Sequence, residues 1–317
     1  MFKSFCFFSV QSIKSVFKKK KNMNNFKLTG APLIILATAF WSTGGIFITQ
    51  VIEGSNLTPI NLAFWRDLST FTLLFLGIAI LRPSLLRVMR RDIPWLIGMG
   101  IISIGLFHVL WNTSIMTNGM AIATVLQSNA PIFVTIIARL FLKEALTRFK
   151  VAAILFSTLG TILIANVEGF GGMKITLRGL LIGLASAFAY GSVSLFGKKL
   201  SGNYSPWTIL TYGFGIGTLT LLPFQLSSPS ASLLPVAASF VKLIFITTLS
   251  GYLLYFMGLQ KLPASVGSIL STSEVPFAAL VAYLVMKEAM TGWQIIGAIL
   301  VVGGVVLVSL PQRGEAK

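Results

Sequence analysis

The sequence has little charge and almost no cysteine. Only 10% of its 317 residues are Asp, Glu, Lys or Arg, against roughly 25% in an ordinary soluble domain. The single Cys6 excludes an intramolecular disulfide framework and a cysteine-based zinc site. The P-loop pattern, the HExxH pattern and the serine nucleophile elbow are also missing, so the chain carries no motif of an ATP-driven pump, a zinc protease or a serine hydrolase.

Apolar residues take the place of the missing charge. They make up 55% of the chain, and the mean hydropathy is +0.86. Runs such as "IIGAILVVGGVVLVSLP" approach the roughly 20 residues that span a bilayer. These runs predict an all-α polytopic membrane protein with ten transmembrane helices. The predicted spans are 31–51, 62–81, 94–114, 119–142, 149–166, 177–197, 206–226, 238–259, 264–286 and 291–310.

Basic residues predict the orientation. The formal net charge is +17, but no basic stripe with interleaved aromatics lies in a soluble segment, so we expect no nucleic-acid partner. Nineteen of the 25 Lys and Arg residues fall on one side if the N-terminus is inside. Because basic residues collect on cytoplasmic loops, both termini are predicted to be cytoplasmic, in a cell (inner) membrane.

The two tails lie outside the predicted spans. Residues 1–30 form a basic N-terminal tail with a Phe-rich patch followed by four lysines, the reverse order of a cleaved signal peptide. One interpretation is an interfacial segment attracted to anionic lipid. The other is that Met23 is the real start. Residues 311–317 are predicted to be a cytoplasmic tail.

The chain repeats itself with an offset near 145 residues. "NAPIFVTIIARLFLKEALT" at 129–147 matches "EVPFAALVAYLVMKEAMT" at 274–291 with one gap. Each half, 31–166 and 177–310, then holds five spans, and an odd number of spans inverts the second half relative to the first. Inverted repeats with interrupted helices are typical of secondary transporters.

The sequence resembles the EamA group of the drug/metabolite transporter superfamily. It shares with that group ten spans, two five-span repeats, and a proline followed by Lys-Glu-Ala at the end of the fourth span of each repeat. Arg66, in "LAFWRDLSTFTLL", lies where this family has an arginine in its second span. The resemblance implies a transporter of small organic molecules, such as amino acids, nucleosides or drugs. It leaves the substrate open.

Glu274 is the clearest candidate for a binding residue, because an ionisable group within a span costs ~2.5–3.5 kcal/mol on insertion scales. It lies two positions before Pro276, which cannot donate to the carbonyl of Thr272 and is predicted to leave that acceptor free. Glu274 would bind a proton or a cationic substrate, or would be a structural carboxyl bonded to a neighbouring helix. Its repeat counterpart, Asn129, lies two positions before Pro131.

Other candidates lie on the third span and among the aromatic residues. His108, Trp111 and Asn112 share one face, where the histidine would relay protons or satisfy a backbone carbonyl. Four aromatic residues would form the walls of a substrate site or simply pack: Trp41, Tyr190, Tyr252 and Tyr255.

Arg66 and Asp67 are adjacent near the outer end of the second span. They are interpreted as an outer gate or a binding site for an anionic substrate, or as an interfacial anchor with a local ion network.

Together these features predict a secondary-active carrier for a small organic metabolite or drug, amino-acid-like or cationic, working by alternating access. Proton coupling is a hypothesis that rests on Glu274. The alternatives are an uncoupled facilitator of the same fold and, with less support, a membrane enzyme acting on a lipid-linked substrate. No cofactor or metal is implied. The sequence does not indicate the oligomeric state.

Overall fold

The structure is a computed structural model that describes residues 30–118, 120–165, 176–226, 233–287 and 290–309. All regular secondary structure in these ranges is helical. The predictions for residues 1–29, including Met23, and for the tail 311–317 lie outside the described residues. The long helices are α1 Ala31–Glu53, α2 Pro59–Leu81, α3 Arg90–Asn118, α4 Ile122–Phe141, α5 Arg148–Ile164, α6 Leu177–Ser201, α7 Pro206–Leu226, α8 Leu234–Leu259, α9 Ala264–Val285 and α10 Gly292–Ser309.

The described helices correspond one to one with the ten predicted spans. Nine of them have the length and hydropathy of a membrane span. The remaining helix, α5, has 17 residues, or about 25 Å of helix, which is at the short end of the spanning range. The prediction of a ten-helix, all-α polytopic membrane protein is confirmed.

Prolines mark the first turns of two helices. Pro59 and Pro206 are the first residues of α2 and α7, where a missing backbone N–H is harmless. The Thr58 hydroxyl accepts a hydrogen bond from the Asn61 N–H at 3.2 Å and caps α2. Helix α2 therefore begins earlier than the sequence predicts, because the proline belongs to the helix rather than to the loop.

Helix packing follows the inverted repeat. Helix α1 packs on α8, and the equivalent α6 packs on α3. Helix α4 packs on α6, and the equivalent α9 packs on α1. Each half therefore contributes helices to the other half's packing, and the interface between the halves passes through the centre of the molecule.

Helices α5 and α10, the last of each repeat, approach each other most closely at two glycines. A Cβ on Gly297 would lie 2.5 Å from the Gly160 carbonyl oxygen, and a Cβ on Gly160 would lie 2.5 Å from that of Gly297. In a bilayer, where apolar surface alone does not drive association, such close backbone approach stabilises a helix pair.

We expect Gly297→Ala to lower the free energy of unfolding by about 1–3 kcal/mol, because backbone atoms cannot move aside as side chains can. Thermal unfolding in detergent measures the loss. Gly303→Ala on the same helix is the matched control, since a Cβ there meets only Phe156 at 4.0 Å. Equal melting temperatures for the two variants would contradict the close approach.

Two helices are interrupted where the repeat predicts it. Helix α4 breaks at Ser128–Asn129 and helix α9 at Thr272–Ser273. The prediction of a free Thr272 carbonyl is wrong: this carbonyl accepts from the Val275 N–H at 3.1 Å. The turn tightens to an i→i+3 bond, which satisfies the acceptor that Pro276 leaves.

Helices α3 and α8 each contain a π-helical segment at equivalent positions, Met99–Leu106 and Leu243–Ser250. Such segments occur frequently at functional sites. Each ends two residues before a polar side chain that faces the interior, His108 in one repeat and Tyr252 in the other. The two residues therefore occupy corresponding places in the two halves.

Candidate functional site

A small cavity lies at the centre of the molecule, where α1, α6, α8 and α9 meet. Its lining is aromatic and hydroxyl-bearing, and it includes all four of the predicted aromatic wall residues. The lining residues are Trp41, Tyr190, Val193, Ser194, Tyr252, Tyr255, Ser268 and Ser271.

Glu274 lies next to this cavity. It is the first residue after the break in α9 and is half-buried. The Tyr190 hydroxyl donates a hydrogen bond to Glu274 Oε2 at 3.1 Å. The Glu274 carboxyl therefore accepts a hydrogen bond from a neighbouring helix and also lies beside a cavity. The structural contact and the place beside a binding cavity, which were alternatives from the sequence, occur together.

Three aromatic rings form one wall of the cavity. The Trp41 ring lies 5.1 Å from the ring centroids of both Tyr252 and Tyr255. The Tyr255 hydroxyl hydrogen bonds with Ser194 at 2.6 Å. Trp41 Nε1 is buried and has no hydrogen-bond partner within the described part of the chain. The wall thus combines π faces, which attract cations, with an indole donor.

Arg66, Asp67 and His108 form a single buried cluster between α2 and α3. Arg66 Nη2 contacts His108 Nε2, Arg66 Nε lies 3.5 Å from Asp67 Oδ1, and His108 Nδ1 lies 3.2 Å from Asp67 Oδ2. The side chain of Asp67 is 0% exposed and that of Arg66 is 15% exposed. From the sequence, His108 and the Arg66–Asp67 pair were separate candidates. In the structure they are in contact.

Tyr252 connects this cluster to the cavity. It lines the cavity and lies within electrostatic range of Arg66, Asp67 and Glu274. The charges of Arg66, Asp67 and Glu274 therefore all act on the Tyr252 hydroxyl in this aromatic wall.

Trp111 and Asn112 are half-buried and do not line the cavity. Trp111 stacks on Phe107 with ring centroids 6.4 Å apart, and Phe107 in turn lies 5.4 Å from the Tyr190 ring. Phe107, which the sequence did not single out, therefore links Trp111 to Tyr190. Sequence reasoning also missed the serines of the cavity, whose small polar side chains give no strong signal in an apolar span.

Asn129 does not reach the cavity. Its side-chain amide donates to the backbone carbonyls of Val125 and Leu126 at 3.1 and 3.0 Å. The Leu126 carbonyl also accepts from the Asn129 backbone N–H, and the Val125 carbonyl also accepts from the Ser128 hydroxyl. Pro131 is the second residue of the helical segment that follows the break in α4, and Pro276 is the third residue of the segment that follows the break in α9. The two halves keep the break but differ in what the polar residue beside it contacts.

A polar network ties the repeats together at the end of the molecule predicted to be cytoplasmic. The Glu144 carboxylate accepts from the backbone N–H groups of Ala264 and Ser265 and from the Ser265 hydroxyl, at the start of α9. Lys150 Nζ lies 3.9 Å from Glu144 Oε2. In addition, Lys198 Nζ donates to the Leu259 carbonyl at 3.2 Å, joining the ends of α6 and α8.

Burial around the cavity differs between its two sides. Towards the Glu144 end, Ser194, Tyr255 and Ser268 are 3%, 2% and 1% exposed. Towards the opposite end, Tyr190 and Glu274 are half-buried. The cavity residues on the Glu144 side are therefore the more deeply buried ones.

Comparison with known proteins agrees with this architecture. The model of the EamA-like transporter family matches residues 28–166 and again residues 177–310. A transporter from Archaeoglobus fulgidus, named as uncharacterized, is 29% identical over 87% of this chain and 97% of its own length. A solved crystal structure superposes with a TM-score of 0.75 over 88% of this chain and 96% of its own, at 17% identity, which shows a shared fold.

Two Salmonella typhimurium proteins are also similar. The inner membrane transporter YicL, also named as uncharacterized, is 26% identical over 90% of this chain and 96% of its own length. A probable amino-acid metabolite efflux pump is 26% identical over 86% and 92%. The family match covers both halves of the chain, and these relatives are transporters rather than enzymes. The chain belongs to the EamA-like transporter family.

Proposed function

We propose that the protein is a secondary-active carrier for a small solute that bears both an amine and a carboxylate. Glu274 and the aromatic wall bind the ammonium group, and Arg66 binds the carboxylate. The observation that carries this proposal is the pair of opposite charges flanking one aromatic cavity at the interface of two inverted repeats. The amino-acid efflux pump among the relatives is consistent with such a solute.

Alternating access follows from the same arrangement. The described state is closed at the Glu144 end, so the opposite state requires the network at Glu144 to open. Both termini are placed on the cytoplasmic side of an inner membrane, which is supported by the distribution of Lys and Arg residues. In this orientation the described state faces outward.

Three ligands that share one apolar body test the proposed solute class: L-leucine, isopentylamine without the carboxylate, and 4-methylpentanoate without the amine. A ligand that binds only the folded state raises the melting temperature of the purified protein. We expect L-leucine to raise it most, isopentylamine less, and 4-methylpentanoate least. Equal shifts for all three, or stabilisation by the carboxylate alone, would contradict the proposed roles of the two charges. A panel of other amino acids and amines extends the test to larger and smaller bodies.

A further inference from the structure

The hydrogen-bonding roles in the buried cluster define the protonation of His108. A guanidinium has only donors, so it cannot accept a hydrogen bond from an imidazole N–H. Arg66 Nη2 contacts Nε2 directly and lies farther, at 3.5 Å, from Nδ1. Nε2, the nearer nitrogen, must therefore carry the lone pair. The ring proton then belongs on Nδ1, which faces the Asp67 carboxylate at 3.2 Å.

The Asp67 carboxylate can accept a hydrogen bond from His108 Nδ1–H. Its side chain is 0% exposed, and Oδ2 has no well-aligned hydrogen-bond partner within the described residues. A small rotation of the His108 ring would align Nδ1–H with this oxygen. In the described state the cluster therefore holds one positive charge, one negative charge and a neutral imidazole.

A second proton on His108 is incompatible with this arrangement. Protonated Nε2 would be a donor facing the donors of Arg66, with two positive charges in contact. The imidazolium can therefore form only when the guanidinium leaves. Arg66, at 15% side-chain exposure, is the most accessible member of the cluster, and its side chain is long enough to swing.

A solute carboxylate in the cavity is what would draw Arg66 away. The titratable and charged groups that face this region are Arg66 and Asp67 on α2, His108 on α3, Tyr190 on α6, Tyr252 on α8 and Glu274 on α9. Among them Arg66 is the cation closest to His108. An added carboxylate contributes one negative charge to a buried site, and a proton taken up by His108 from water in the outer opening neutralises it.

We propose that His108 is a proton-loading site that Arg66 controls, so that a solute carboxylate which binds Arg66 exposes the Nε2 lone pair and loads a proton onto it. Asp67 holds the resulting imidazolium. The inference rests on the proposed function, because it takes a carboxylate-bearing solute as the trigger. Solute and proton therefore favour each other's binding.

The chain has one histidine, which makes a direct test possible. The full-length protein, purified on a tag without histidine and labelled with ¹⁵N-histidine, gives the signals of a single imidazole, and the ¹⁵N shifts identify the protonated nitrogen. We expect a neutral ring protonated on Nδ1 in wild type. In Arg66→Met the imidazolium fraction at about pH 6.5 should be clearly higher than in wild type.

Two control variants separate the charge from general disturbance. Arg66→Lys keeps a group that only donates and should retain the wild-type tautomer. Arg82→Met, outside the cluster, should leave the signals unchanged. A wild-type ring protonated on Nε2, or a ring already charged at neutral pH, would overturn the inference whatever the solute is.

The loading step has its own probe. L-Leucine at millimolar concentration should convert the neutral signal to imidazolium, and isopentylamine, which has no carboxylate, should not. If L-leucine raises the melting temperature but leaves the ring neutral, proton loading by the solute is refuted even though the Arg66–His108 contact stands. A failure of the proposed function appears separately, in the melting temperatures with L-leucine and isopentylamine.

Discussion

Glu274→Gln is expected to weaken binding of amine-bearing solutes strongly without unfolding the protein. Glutamine has nearly the same shape, and its amide oxygen can still accept the hydrogen bond from Tyr190. The negative charge is lost, however, and an ammonium group would enter an aromatic cavity without its counter-charge. Removing one partner of a largely desolvated charge pair costs about 2–5 kcal/mol, so we expect affinity to fall at least about 30-fold. Melting temperatures and uptake into proteoliposomes, measured with isopentylamine and L-leucine, report the loss.

Glu53→Gln is the matched control, because Glu53 is an exposed carboxyl at the end of α1. It should bind as wild type does. Normal amine binding by Glu274→Gln would show that Glu274 is structural. The pH dependence of transport by this variant also separates two coupling sites. It disappears if Glu274 carries the coupled proton, and it persists if His108 does.

Glu144→Gln is expected to open the Glu144 end of the carrier. The Glu144 carboxylate accepts three hydrogen bonds at the start of α9 and lies near Lys150. Glutamine offers one acceptor oxygen and turns an NH₂ group towards N–H donors. Hydrogen bonds to a charged group contribute about 1.5–3 kcal/mol each, and each 1.4 kcal/mol shifts a conformational equilibrium about tenfold.

A cysteine at position 268 reports this opening. Ser268 is 1% exposed between the cavity and the Glu144 end, so Ser268→Cys in a Cys6→Ser background should react slowly with a membrane-impermeant maleimide added from that side. Adding Glu144→Gln should increase the labelling rate about tenfold or more, and Ser265→Ala should increase it less. An unchanged rate, with melting temperature preserved, would refute a gating role for Glu144.

Hydropathy and the repeat predicted the ten helices and the positions of both helix breaks. This succeeded because a span needs only enough consecutive apolar residues, whatever face they present, and because a proline limits backbone hydrogen bonding wherever it occurs. The inverted architecture followed from counting five spans per repeat. Glu274 stood out because a carboxyl group is expensive at membrane depth.

Contacts between helices far apart in sequence could not be predicted in the same way. Nothing in the local pattern around His108 indicates that its ring nitrogens face Arg66 and Asp67 on another helix. The contacts of Asn129 could not be predicted either. Its side-chain amide can point towards a cavity or towards backbone carbonyls of its own helix, and the geometry of the turn decides between them. Glu144 looked like part of a loop motif, and its partners at Ala264 and Ser265 lie in the other repeat.

The polar residues beside the breaks differ between the halves, and this difference bears on the direction of transport. If the two repeats were identical, the inward-facing and outward-facing conformations would be related by the two-fold axis that relates the repeats, and they would have equal free energy. An empty carrier would then rest equally on both sides. Here Glu274 corresponds to Asn129, and His108 corresponds to Tyr252, so exchanging the roles of the halves gives each side of the membrane a different set of charges. The sequence divergence of the repeats therefore gives the two conformations of the empty carrier different free energies. This difference determines which conformation the unloaded protein favours.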